Sequence, residues 1–233
     1  GDVKKARLYA TAQGVYEFAV NGVKAGEDRM TPGWTSYRSR LQYQTYDVTG
    51  QLKSGENLLE MTVGNGWYKG ILGFMCTPNI YGDRVGAFAE LHISYENGES
   101  EVICTDESWG VRTGEIRYSE IYMGETIDTD SPQVREGKVS SKEFDKGILT
   151  AQENEPVRIT ERIPAKELVV TPKGERLVDF GQNITGLADI RIRGRKGQKI
   201  TVRHAEVLDK DGNFYPETLR QAKSIDTYIC SGE

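Results

Sequence analysis

Short runs in which apolar and polar residues alternate, each cut off by glycine or Asn-Gly, leave this chain little choice but β-structure. Ala6-Arg7-Leu8-Tyr9-Ala10-Thr11-Ala12 alternates, and after Gly14 so does Val15-Tyr16-Glu17-Phe18-Ala19-Val20. Asn21-Gly22 then interrupts; both residues tolerate positive φ, so a type I′ hairpin is expected, with Val23-Lys24-Ala25-Gly26 returning. Residues 41–48 alternate again, 49–57 read as one helical turn closed at Gly55, and 58–63 resume as a strand that stops at Gly64-Asn65-Gly66. Residues 87–95 put Ala87, Ala89, Leu91, Ile93 and Tyr95 on one face, and Asn97-Gly98 turns them toward a return at 101–105. Turn signals roughly 8–12 residues apart are the rhythm of sandwiches and jelly rolls. A 3.6-residue period is nowhere sustained, which excludes helix bundles and coiled coils.

Periodicity fades from 131 to 163, a polar stretch carrying Pro132 and Pro156, and returns at 176–180, 187–193, 198–203 and 227–230, with Gly194-Arg195-Lys196-Gly197 as a hairpin turn. The expected organisation is a jelly-roll domain over 1–130, a connecting segment over 131–163 with room for one edge strand, and part of a second β-sandwich over 164–233. The 26 glycines and 12 tyrosines fit turns and strands. Apolar runs of a few residues provide no membrane helix, and no leader pattern precedes the first strand. A net charge of −5 argues against nucleic acid or an anionic membrane as partner. Cys76, Cys104 and Cys230 are odd in number and far apart, so neither a disulfide framework nor a zinc site is expected; they read as small core residues.

Catalytic signals are thin. His92 falls on the solvent face of its strand and His204 reads as structural, which leaves no triad and no three-histidine metal site. Glu125 with Asp128, and Glu206 with Asp209, are acid pairs of the sort glycoside hydrolysis needs, but among 35 acids such pairs arise by chance. No catalytic residue is therefore assigned. The richer signal is aromatic: Thr31-Pro32-Gly33-Trp34-Thr35-Ser36-Tyr37 and Gly64-Asn65-Gly66-Trp67-Tyr68-Lys69-Gly70 set Trp and Tyr in glycine-rich loops. Sugars stack a C–H face on such rings while amides take their hydroxyls. The candidate sugar-binding set is Asn21, Trp34, Tyr37, Asn65, Trp67 and Tyr68. The alternative is that the two Trp plug the ends of the sandwich and the two Asn only form turns.

In that order, Ala6-Arg7-Leu8-Tyr9, Val20-Asn21-Gly22-Val23-Lys24-Ala25-Gly26, Pro32-Gly33-Trp34-Thr35-Ser36-Tyr37, Tyr43-Gln44-Thr45-Tyr46-Asp47-Val48-Thr49 and Gly64-Asn65-Gly66-Trp67-Tyr68-Lys69-Gly70 resemble the N-terminal domains of bacterial α-L-rhamnosidases. Val178-Asp179-Phe180-Gly181-Gln182-Asn183, Arg203-His204-Ala205-Glu206-Val207-Leu208-Asp209, Asp211-Gly212 and Leu219-Arg220-Gln221-Ala222-Lys223 are similar to the concanavalin-like domain that follows there. The resemblance implies a galactose-binding-like jelly roll, then part of a concanavalin-like sandwich. It also implies that catalysis, the inverting hydrolysis of terminal α-L-rhamnose by glycoside hydrolase family 78, belongs to a C-terminal (α/α)6 barrel, leaving this stretch silent alone. The implied partners are L-rhamnose-containing carbohydrate and that catalytic domain. Some such jelly rolls resemble a calcium-dependent rhamnose-binding module; Asn21 and Asn65 match its ion-holding positions, but Val20 stands where a carboxylate belongs, so no cofactor is expected. Three readings follow: a sugar-binding accessory domain, a purely structural one, or a sandwich-fold hydrolase with its own acid pair.

Overall fold

The computed structural model describes residues 1–232, and its strands form two compact units. The first comprises Gly1–Arg112 with Glu136–Arg158, the second Thr113–Arg135 with Ile159–Glu233. The fold is all-β.

The first unit is a two-sheet sandwich built on β1 (Val3–Gln13), β2 (Val15–Val20), β3 (Val23–Lys24), β4 (Leu41–Asp47), β5 (Leu59–Gly64), β6 (Gly86–Tyr95) and β7 (Ser100–Cys104), followed by β8 (Gly110–Arg112) outside both sheets. One sheet runs in the order Leu149–Ala151, β4, β1, β6, β7; the other is β3-β2-β5. Their facing residues form a single core: Ala6, Leu8, Ala10 and Ala12 of β1, Tyr16, Phe18 and Val20 of β2, Ala89, Leu91 and Ile93 of β6, with Tyr46 and Val48. Every second residue of β1, β2 and β6 contributes, as a half-buried pleat requires.

β4 departs from that simplicity. Its inward positions are Gln42, Gln44 and Tyr46, and both amides are buried because both are hydrogen-bonded. Tyr16 donates its hydroxyl to Gln44 Oε1 at 2.7 Å, Gln44 Nε2 donates to the Pro32 carbonyl at 3.3 Å, and Gln42 Oε1 accepts from the Glu153 amide at 2.8 Å. The type I′ hairpin forms as the sequence indicates, with Asn21 at φ 53° and Gly22 at φ 77°. The 131–163 stretch supplies edges to this unit: Leu149–Ala151 runs parallel to β4, and Glu136–Lys138 pairs with β8.

In the second unit, β9 (Ile116–Glu120) and β10 (Gly124–Asp128) join Ile225–Ile229 and Lys199–Arg203 in a four-stranded sheet, with β10 parallel to Ile225–Ile229. Glu167–Val170 with Arg176–Asp179, and Val207–Leu208 with Phe214–Tyr215, form separate two-stranded ribbons. Two expectations are corrected. Residues 187–193 carry a strand pattern but make no ladder, and 181–191 are exposed throughout. The cysteines are not core residues: Cys104 is exposed because its neighbour Ile103 takes the inward position on β7, and Cys76 and Cys230 are half-buried.

Candidate functional site: an aromatic cluster on the first unit

The loop after β3 is pinned to β2 before it reaches its first ring. Tyr16 donates its amide to the Thr31 carbonyl at 2.8 Å, and the Thr31 hydroxyl donates to the Tyr16 carbonyl at 2.6 Å. Trp34 stands just beyond, and Tyr37 folds back to donate its hydroxyl to the Gly33 carbonyl at 2.8 Å.

The second loop leaves β5 through Gly64 and Asn65 into α1 (Gly66–Lys69), a single turn that carries Trp67 and Tyr68. Gly66 is required there. Its φ is +52°, and a Cβ would lie 2.5 Å from Val15 Cγ1 and 2.9 Å from the Val15 nitrogen. A third loop is tied to α1, since the Asn79 amide donates to the Lys69 carbonyl at 2.9 Å, and it delivers Tyr81.

These loops bring five rings together. Trp34 and Trp67 lie nearly parallel, with centroids 6.4 Å apart and planes 9° apart. Tyr37 sits edge-on to Tyr68 at 5.4 Å and to Tyr81 at 4.9 Å, while Tyr68 and Tyr81 stack at 6.4 Å. Trp34 Nε1 donates to the Tyr81 hydroxyl at 3.2 Å, which fixes the indole's tilt. Tyr37 is buried, Trp67, Tyr68 and Tyr81 are half-buried, and Trp34 is 51% exposed. Burial, then the neighbouring Tyr81, pushes the Tyr37 phenol well above its ordinary value; burial, then Asp83, pushes Tyr68 up. These phenols are neutral hydrogen-bonding groups at any physiological pH.

Trp34, Tyr37, Trp67 and Tyr68 from the sequence set therefore share one site, with Asn65 at the start of α1 beside it. Asn21 is elsewhere. It follows Val20, which pairs with Leu59, whereas Asn65 follows Gly64, which pairs with Val15. The two asparagines thus sit beyond opposite ends of the β2–β5 ladder, about seven residue steps or ~24 Å apart. Asn21 is also spent on the turn: Nδ2 donates to the Gln51 carbonyl and to Asn57 Oδ1, both at 2.8 Å, and Oδ1 accepts from the Leu58 amide at 3.0 Å. It is a turn former, and it cannot share an ion with Asn65. Among the described residues, no group of three His, Cys, Asp or Glu is disposed to hold a metal.

Tyr81 was missing from the sequence set. The signal was present in Asn79-Ile80-Tyr81-Gly82, the same mixture of amide, aromatic and glycine as the other two loops.

The acid pairs do not converge on a cleft. Glu125 and Asp128 lie three apart on β10 and so face opposite sides; Glu125 accepts from the Tyr228 hydroxyl at 3.3 Å, and Asp128 faces Arg117 at 4.0 Å. Asp209 caps its own loop, accepting from the amides of Asp211 and Asn213 at 2.9 and 2.8 Å. His204 Nε2 meets Asp226 Oδ2 at 2.8 Å beside the four-stranded sheet, and His92 is exposed next to Glu90.

The chain is 39% identical to an α-L-rhamnosidase of Streptomyces avermitilis over 99% of its own length, and 32% identical to one of Formosa agariphila over 100%. It spans 23% and 26% of those proteins, about a quarter of each. Among solved structures, the Streptomyces avermitilis α-L-rhamnosidase complexed with L-rhamnose superposes with a TM-score of 0.93, covering all of this chain and 24% of that one. The native Aspergillus terreus enzyme does so with 0.92 at 37% identity, covering all of this chain and 28% of that one. Residues 1–161 match the α-L-rhamnosidase N-terminal domain and 170–233 the bacterial α-L-rhamnosidase concanavalin-like domain, and the chain therefore belongs to the α-L-rhamnosidase N-terminal domain family.

Proposed function

We propose that these two β units are the non-catalytic N-terminal portion of an α-L-rhamnosidase, and that the aromatic cluster of the first unit holds L-rhamnose-containing glycan for it. The observation that carries the binding role is the indole of Trp34, half-exposed, stacked on Trp67 and tied to Tyr81. A fixed, open ring face is what a sugar's C–H face needs, and a 6-deoxy sugar such as rhamnose adds a methyl group to that apolar side. In this reading the phenols of Tyr68 and Tyr81, beside the indole, take the sugar's hydroxyls, with Asn65 at the start of α1 next to them.

The catalytic barrel implied by the resemblance would be the partner that benefits. Among the described residues the only α-helix is the four-residue α1, and one or more acids of each candidate pair have structural partners, Glu125 with Tyr228, Asp128 with Arg117 and Asp209 with Asn213. The reading needs no cofactor, since Asn21 and Asn65 are far apart, and neither nucleic acid nor membrane enters it. A purely structural cluster is favoured by one observation, the Tyr37 ring, which is 4% exposed and has its hydroxyl committed to Gly33.

Calorimetric titration of L-rhamnose into this chain, with and without calcium, separates the two. Binding is expected in both buffers and is lost in Trp34→Ala; absence of heat at millimolar sugar overturns the binding role. Release of nitrophenol from an aryl rhamnoside by this chain alone would overturn the non-catalytic one.

A further inference from the structure

The aromatic site is ringed by positive charge on a chain that is acidic overall. Residues 31–40 and 64–85 carry all five rings. Their cations are Arg38, Arg40, Lys69 and Arg84 and their one acid is Asp83, whereas the whole chain has a net charge of −5. Arg40 is matched by Glu153 at 3.4 Å. Arg38, Lys69 and Arg84 make no ion pair among the described residues. Cations without partners, in loops that meet at one patch, give that patch a positive potential.

Arg38 stands out by its position. It follows Trp34 and Tyr37 in the same loop, and its Nη2 donates to the Ile80 carbonyl at 3.2 Å. The next residue, Tyr81, accepts from Trp34 Nε1 at 3.2 Å and has Tyr37 edge-on at 4.9 Å. The segment Ile80-Tyr81 therefore holds both the indole and the guanidinium. Arg38 is exposed, and a guanidinium has five N–H donors, so one bond to a carbonyl leaves most of the fork unused. Such a fork matches two oxygens of a carboxylate or a sulfate.

We propose that the glycan held at this site bears a negative charge next to its rhamnose, a carboxylate or a sulfate ester, and that Arg38 selects it. The inference rests on the reading of the aromatic cluster as a rhamnose site and adds the substrate class, an acidic rhamnose-containing glycan. Rings and guanidinium do different work. The Trp34 face takes the apolar side of the sugar, and Arg38, anchored at Ile80, takes the anion. Lys69 and Arg84 add attraction that reaches about a Debye length, ~10 Å at 0.1 M salt. Asp83 acts on Tyr68, so it repels an anion from that part of the cluster and turns the charged group toward Arg38.

Calorimetric titrations of this chain with matched ligands test the assignment. The carboxylate arm compares a disaccharide of L-rhamnose on glucuronic acid with its methyl ester, which has the same skeleton without the charge. The sulfate arm compares methyl α-L-rhamnoside with the same rhamnoside carrying one sulfate ester. At low salt the charged member of at least one pair binds about tenfold tighter than its neutral counterpart, and the arm that shows this identifies the anion. In about 0.5 M salt the advantage falls to about twofold or less. In Arg38→Gln it falls as far at low salt, while Arg38→Lys, which keeps the charge and loses the fork, retains part of it. Loss of the Ile80 contact weakens charged and neutral ligands alike, so the ratio of the two affinities is the quantity read. Equal binding within both pairs overturns the proposal, as does a preference that salt and Arg38→Gln leave in place. Glucuronate or inorganic sulfate binding as tightly as its rhamnose-bearing form also overturns it, because the site then reads an anion and no glycan. Methyl α-L-rhamnoside that binds with no preference for charge refutes this inference and leaves the rhamnose reading standing; absence of heat with every ligand refutes both.

Discussion

The two units share strand composition and differ in what they do with apolar residues. In the first, thirteen buried residues from two facing sheets form one core, and even its buried glutamines are hydrogen-bonded. In the second, Leu168, Val170, Val178, Leu187 and Ile190 stand in solvent. Alternation is present in both, so a hydrophobic pattern does not by itself make a core. A core needs a second layer within reach, and only the first unit contains its own.

The sharpest way to break that comparison is to delete the same side chain in each unit. Leu8→Ala, at a fully buried site, is expected to lower unfolding free energy by about 3 kcal/mol. Leu168→Ala, 81% exposed, should change it by less than ~0.5 kcal/mol. Urea titrations read both, Leu8→Ala by the fluorescence of Trp34, Trp67 and Trp109 in the first unit and Leu168→Ala by amide exchange of the second, and similar losses would show that the second unit buries Leu168 in solution.

Next in size is Gly66→Ala. The new Cβ would meet Val15 within 2.5 Å at a φ of +52°, so a loss of about 1–3 kcal/mol is expected. Because α1 carries Trp67, the near-ultraviolet signal of the Trp34–Trp67 stack should weaken with it. A variant of wild-type stability would mean that the loop relaxes freely. Asn21→Ala is gentler. It removes three hydrogen bonds and a residue suited to positive φ, for about 1–2 kcal/mol, and leaves rhamnose titration untouched because Asn21 lies at the far end of the ladder. A lost titration in a folded variant would return Asn21 to the site.

Much of the first unit was legible because its signals are local. Asn21-Gly22 specifies its turn through two positive φ values, and the phase of β6 is written in Ala89, Leu91 and Ile93. The site was half legible. Trp34 and Trp67 announce themselves by loop composition, but their stacking depends on how two loops 33 residues apart close on Thr31 and Gly66, and Tyr81 enters through a third. Other features depend on partners that a sequence window does not contain. Cys104 looks apolar enough to bury, but Ile103 already holds the inward position on β7. Residues 187–193 are written as a strand and left without a ladder, because pairing is a property of two segments.

Alkaline pH sharpens the comparison further. Tyr16, Tyr37 and Tyr46 of the first unit all have phenols raised above the ordinary 10.0, mainly by burial. A raised folded value means that the stability these groups contribute is whole below pH 10, where both states are neutral. It is lost as pH climbs through 10 toward the folded values, because the unfolded chain releases protons that the folded chain keeps. The first unit's urea midpoint should therefore fall between about pH 9 and about pH 11, together with tyrosinate absorbance appearing on unfolding. Ionisation of all 12 tyrosines of the folded chain near pH 10, rather than of the exposed ones alone, would contradict the burial of these rings.

The smallest effect lies at the acid end and concerns ion pairs. Glu17 accepts from Lys24 and from Arg29; partial burial raises its pKa, but the two cationic donors outweigh that and the carboxyl ends below its usual value of 4.5. A lowered folded value contributes stability above pH 4.5 that disappears as pH falls through the folded value. Arg162–Asp189 of the second unit is as close, at 2.7 Å, but its side chains are 75% and 82% exposed. Glu17 is itself half-exposed, so Glu17→Gln should cost about 0.5 kcal/mol near neutral pH and flatten the acid limb of the stability curve, while Asp189→Asn should do neither. Equal effects of the two substitutions would mean that distance alone sets the worth of these pairs; the expected inequality follows from the packing that holds Lys24, Arg29 and Glu17 in place around one strand and leaves Arg162 and Asp189 free in water.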